Sequence, residues 1–182
     1  MRARTRTLSA AAAAILTLLA TTAVAAPDGG GSGDLATARA ATAGYHRVSV
    51  AEADGYGLPQ GGPLHECIAS LDPMMPGAMG YHFINGAAVG DAVLDPALPE
   101  ALVYETKPNG SLRLVALEYV VFQDAWEAAH GPTVPWMFGR PMTHVPFPNR
   151  YELPAFYQVH AWIWKGNPHG IHADHNPRVS CP

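Results

Sequence analysis

The 182-residue chain is poor in charge and in cysteine. Lysine, arginine, aspartate and glutamate make up 14% of it, and Cys67 and Cys181 are its two cysteines. Sparse lysine and arginine deny it the basic footprint that a nucleic-acid partner demands. Signature loops are missing as well. No glycine-rich phosphate loop, nucleophile elbow, HxH or HExxH spacing occurs, and Gly29-Gly30-Gly31 precedes no strand and reads as linker. No internal repeat is visible.

What is present begins at the amino terminus. Arg2, Arg4 and Arg6 precede an uncharged, alanine- and leucine-rich run from Leu8 to Ala20, followed by small residues at Ala23-Val24-Ala25. This is the layout of a secretory signal peptide, residues 1–25, with cleavage expected between Ala25 and Ala26. The run is too short and too rich in alanine for a stable membrane anchor, which needs roughly 20 strongly apolar residues. The expected location is therefore extracellular. Cleavage would remove three of the eleven basic side chains and none of the fifteen acidic ones, leaving an acidic chain. A flexible leader, residues 26–34, would then precede one domain, residues 35–182, long enough for a proper core. Outside the cytosol the two distant cysteines should join as a Cys67–Cys181 disulfide.

Coarse patterning places the elements. Asp34 is expected to cap a helix through LATARAATAGYHRV, and Ser49 with Glu52 three residues on predicts a second short helix. From Met79 the pattern turns to strands: MGYHFIN (79–85), ALVYET (101–106), LRLVALEYVVF (112–122) and FYQVHAWIWK (156–165). Asn109-Gly110 predicts a hairpin in which Thr106 faces Arg113, Val103 faces Ala116 and Ala101 faces Glu118. A longer loop at Pro108 would shift that register by one residue. DAWEAAHG reads as a helical turn. The sum is an α+β fold: N-terminal short helices packed on a mostly antiparallel β-sheet in a single domain with one disulfide.

Strand alternation then isolates the candidate site. It puts Leu112, Leu114, Ala116, Glu118 and Val120 on one face of the long strand, and Arg113, Val115, Leu117, Tyr119 and Val121 on the other. Glu118 is an acid in an apolar row, where it must be paired, hydrogen-bonded, metal-bound or protonated. Arg113 and Arg140 are its structural alternatives. His82 lies mid-strand with Gly80 and Ile84 on its face, and His160 shares a row with Phe156, Gln158, Trp162 and Trp164. Two imidazoles and a carboxylate can converge on a divalent transition metal, with His144 as a fourth ligand. Without an ion, His82, Glu118 and His160 can act as catalytic acid and base. The bland alternative makes each histidine a satisfied core residue. His169, His172 and His175, beside Asp174, are punctuated by Pro168, Gly170 and Pro177, so they read as a loop that holds a metal weakly.

The words MGYHFIN, PEALVYE, RLVALEYVV and FGRPM, with the ending VHAWIWK, NP, G and ADHNPRVSC, together resemble a family of secreted bacterial proteins, many of them actinobacterial. ATAGYHRVSVAEADGYG resembles the front end of that family, so the resemblance runs from about Leu35 to Cys181. It implies a shared extracytoplasmic domain and carries no established activity. His82, Glu118 and His160 fall inside the matching words. The terminal histidines depart from the family pattern: relatives tend to have ADWNP after a bulky residue, where this chain has His172 and His175.

Two functions follow as expectations. One is a secreted protein with a His/Glu metal or acid–base site on the sheet face, acting on a small molecule in a pocket lined by Tyr81, Trp162 or Trp164. The other is a non-catalytic module that binds an apolar ligand or a cell-envelope component, its polar residues closing a hydrogen-bond network.

Overall fold

A computed structural model describes residues 30–182. The expected signal peptide and residues 26–29 of the leader lie outside the described residues. The chain forms an α+β fold. Helix α1 (Gly30–Thr42) runs into a 3-10 turn (Ala43–His46) and then α2 (Val48–Ala53). Neither expected cap holds. Helix α1 begins four residues before Asp34, and α2 starts after Arg47 without a side-chain cap. Packing sets these boundaries instead, because Leu35, Ala38, Val48 and Ala51 press on one face of the sheet.

The strands follow as β1 (Tyr56–Gly57), β2 (Ile68–Ala69), β3 (Ala78–Asn85), β4 (Ala101–Thr106), β5 (Leu112–Phe122), β6 (Trp136–Met137), β7 (Arg140–Pro141), β8 (Thr143–Val145) and β9 (Phe156–Ala161). Short helices α3 (Gly86–Val89) and α4 (Gln123–His130) leave the ends of β3 and β5. The main sheet is ordered β1-β3-β4-β5-β9-β8 with β2 beside β3, and every pairing is antiparallel; β6 and β7 form a separate ribbon.

The hairpin between β4 and β5 keeps part of its expected register. Ala101 faces Glu118 and Val103 faces Ala116, but a bulge then sets Tyr104 against Leu114 and Thr106 against Leu112. The loop spans Lys107 to Ser111, closed by bonds between those two residues and between Gly110 and Lys107. One extra residue in β5 reverses the alternation. Leu112 and Leu114 therefore join Leu117, Tyr119 and Val121 on the helix-covered face, while Val115 and Ala116 pack beside Val103 and Trp162 on the face of Glu118.

The last strand is shorter than its pattern. It stops at Ala161, where a tight bond from the Ile163 N–H to the Ala161 carbonyl turns the chain. Trp162 and Trp164, expected on one face, consequently separate. Trp162 is buried in the cluster with Val103 and Val179, and Trp164 packs among the helices under Arg39.

The carboxyl tail crosses back over β3. Ala78 bridges to Asn176, and Gly77 lies so close beneath that a Cβ there would collide with the Asn176 carbonyl. Cys67 and Cys181 are joined as expected, across a separation of 114 residues. In the chain-entropy account a loop of that length stabilises by about 4 to 5 kcal/mol. Among the described residues, no helix is long and apolar enough to cross a membrane.

Candidate metal centre

Three strands of the main sheet carry one cluster, two of them adjacent and the third one strand further on. His82 comes from β3, Glu118 from β5 and His160 from β9, all on the face away from the main helices. Glu118 and His160 are direct cross-strand partners. His82 reaches them over β4, past Ala101, which faces both Ile84 and Glu118. Gly80, two residues before His82, adopts φ +120°, and a Cβ there would sit 2.5 Å from the Tyr104 carbonyl. Glycine thus lets β3 press tightly on β4 just upstream of His82.

The three side chains converge. His82 Nε2 lies 3.2 Å from Glu118 Oε2, and His160 Nε2 lies 3.8 Å from Glu118 Oε1. One donor atom from each residue falls within 4.8 Å of the others. An ion bound at about 2.0 to 2.2 Å needs donors roughly 3 to 3.5 Å apart, so closing the set takes movements of about 1 Å. All three residues are buried, with His160 at 0% exposure and Glu118 at 8%. Among the described residues, neither nitrogen of His82 or of His160 has a hydrogen-bond partner.

Electrostatics separate the three groups. Burial, helped by charge on His160, drives His82 down to about 3, so it is a neutral imidazole with a free lone pair at neutral pH. Burial raises Glu118 against the pull of His160. For His160, burial pushes down, but the Glu118 carboxylate and then Asp174 outweigh it, and the net shift is upward. The carboxylate thus lies in a wall that supplies it no full-time cation. Arg113 does not serve, because it is committed with Lys165 to Glu105, and Arg140 sits exposed on β7. A divalent ion would satisfy the acid and both imidazoles at once, which is the chemistry this donor set fits.

His144 does not join. It lies on the edge strand β8, exposed, opposite Tyr157, with its Nε2 at 2.8 Å from Gln123 Oε1. Tyr157 belongs to the helix-covered face, so a ligand role for His144 would require the wrong side of the sheet. Among the terminal histidines, His169 is exposed; His172 bonds the His160 carbonyl through Nδ1 at 2.7 Å and stacks on Phe138. The loop they occupy is fastened by the Trp162 N–H to Ile171 and by Trp162 Nε1 to the Ala173 carbonyl.

That fastening delivers Asp174, which sequence alone groups with the histidine tract. Its Oδ1 lies 3.7 Å from His160 Nδ1, on the ring edge away from Glu118. Its charge raises the basicity of His160 from that distance, and an approach of about 1 Å would make the hydrogen bond by which a carboxylate orients a ligating imidazole. Trp162 lies nearly parallel to the His160 ring, at 13° and 6.1 Å between centroids.

Beside His82 and Glu118 opens a cavity of about 180 Å³, walled by Ile68, Met79, Ile84, Val120, Leu153 and Phe156. The aromatic residues expected to line it lie elsewhere. Tyr81 faces the helical core, Trp162 is sealed behind His160, and Trp164 is across the sheet. Glu100 and Tyr151, which sequence did not single out, complete the wall. Glu100 is 1% exposed, accepts the Val120 N–H at 3.0 Å and is raised by burial to about 8. Nothing in the pattern PEALVYE marks that acid as buried rather than as the polar start of a strand.

Compared with known proteins, the chain matches no family model, no curated protein and no solved structure.

Proposed function

We propose that this is an exported metalloprotein in which His82, Glu118 and His160 hold one divalent transition ion against an apolar cavity, leaving a coordination position for a small molecule. One observation carries the reading: three buried donors stand within 4.8 Å of one another while, among the described residues, neither imidazole makes a well-formed hydrogen bond. Each buried polar group without a partner costs about 1 to 3 kcal/mol, so a metal-free role as a mere structural network leaves a large penalty uncompensated. The disulfide supports export, because such bonds persist in oxidising compartments. The apolar wall supports a small-molecule ligand over a polymer.

Metal analysis of untagged protein tests it. One equivalent of a transition ion is expected in the wild type and in His144→Ala. Loss is expected in Glu118→Gln and His160→Ala. If Glu118→Gln and His160→Ala keep the ion and His169→Ala with His172→Ala loses it, the loop is the binder and the proposed centre is wrong.

A further inference from the structure

The cavity next to the triad is large enough to be selective and contains two polar side chains that the triad does not use, Glu100 and Tyr151, of which the Tyr151 hydroxyl points to Met79 Sδ at 3.9 Å. A cavity of about 150 Å³ lined by aliphatic and aromatic side chains is known to accept benzene. The one here, about 180 Å³, leaves room for a single ring with small substituents. Its walls are aliphatic and aromatic apart from His82, Glu118, Tyr151 and Glu100. Glu100 uses Oε2 for the Val120 N–H, and among the described residues no side chain pairs with it.

A carboxyl group inside an apolar chamber is costly to keep unless something meets it. The bonds from the N–H groups of Val120 and of Glu100 itself leave the group without a side-chain partner and able to bond a guest. Two polar stations therefore share one ring-sized chamber: the ion-binding edge formed by His82 and Glu118, and Glu100.

On this basis, and resting on the metal reading above, we propose that the cavity binds a one-ring molecule carrying two oxygen functions, one taken by an ion at the triad and the other by Glu100. Dihydroxybenzenes are the simplest members of that class. Aliphatic chains much longer than a ring's diameter, sugars and peptides are not of it: the first overfill the space, and the others bring more polar groups than the walls can satisfy.

Calorimetric titration of the full-length exported protein tests this, with zinc(II) loaded or stripped and with toluene, phenol, resorcinol and hydroquinone as probes. Phenol should bind the zinc-loaded protein more tightly than the stripped one, whereas toluene should not distinguish them. The better dihydroxybenzene should bind about three- to tenfold more tightly than phenol, the range of one net hydrogen bond. In Glu100→Met that ratio should collapse to about one; because it compares two ligands on one protein, general loosening of the fold does not mimic the effect. Val89→Phe, at the partly exposed rim, should weaken all four probes and leave zinc in place.

A dihydroxybenzene-to-phenol ratio near one in the wild type, or one unchanged in Glu100→Met, overturns the role of Glu100. Zinc bound at the triad with no ring binding overturns the ligand class and leaves the metal centre standing. Ring binding to a protein that takes no zinc sinks the metal reading and, with it, the ion-bound oxygen of this proposal.

Discussion

His82 and Glu118 stand on strands separated by β4, yet their side chains meet at 3.2 Å. Next-nearest strands lie roughly 9.6 Å apart, so two long side chains must lean toward each other across the strand between them. Ala101 makes this possible. It is the β4 residue in line with Glu118, and its single methyl lines the cavity that His82 and Glu118 also border.

Ala101→Val should therefore break the centre without breaking the fold. Two added methyl groups would intrude where His82 and Glu118 approach. Metal affinity should fall at least about tenfold, with an overpacking cost of about 1 to 3 kcal/mol. Ala101→Gly should lose stability of about 0.5 to 1 kcal/mol and keep the metal. Competition with a chelator, paired with urea denaturation, reads both.

Asp174 should tune the site rather than build it. Asp174→Asn removes the charge 3.7 Å from His160 Nδ1 and leaves the loop bonds through Trp162 intact. Affinity should drop about ten- to hundredfold, the usual range for a carboxylate behind a ligating histidine. Chelator competition at pH 7 checks it, and an unchanged affinity would remove Asp174 from the account.

Glu100 gives the metal-stripped protein a pH signature. Its folded value, about 8, stands above the unfolded 4.5, so the native state holds a proton that the unfolded chain releases. Stability from this group is present below about 4.5 and is lost as pH rises through 8, on the order of a few kcal/mol. Glu118 is raised too and slopes the same way, whereas His82, lowered to about 3 from 6.5, slopes the opposite way below 6.5. The difference between wild type and Glu100→Gln isolates Glu100. Glu100→Gln should gain on the wild type steadily from pH 5 to pH 8.5 in urea titrations.

The disulfide links stability to the site. Opening Cys67–Cys181 frees a tail in which Asn176 and Val179 are buried against β3 and its neighbours. A double Cys67→Ser, Cys181→Ser variant should lose up to about 4 to 5 kcal/mol. Its metal affinity should approach that of Asp174→Asn, because the same tail steadies the Asp174 loop. Denaturation and chelator competition on one preparation measure both.

Much of this arrangement is readable from residue pattern. The hairpin signal at Asn109-Gly110 and the β-rich runs locate β3, β4 and β5, and an acid in an apolar row points to Glu118. What alternation cannot reveal is a change of phase. The bulge near Val115 swaps Leu112 and Leu114 to the other face, and the turn after Ala161 parts Trp162 from Trp164. Both events depend on packing between strands, not on any local residue signal. His144 shows the same limit, since its side of the sheet is set by pairing with Tyr157. Asp174 and Glu100 are illegible for another reason: one is brought in by a loop tied to Trp162, and the other is buried by elements distant in sequence.

The most direct test is an anomalous-scattering map from crystals of the untagged protein grown with zinc(II). The account predicts one strong peak on the sheet face, about 2.0 to 2.2 Å from His82 Nε2, His160 Nε2 and a Glu118 oxygen. A peak confined to His169, His172 and His175, or none near Glu118 at saturating zinc, would contradict it.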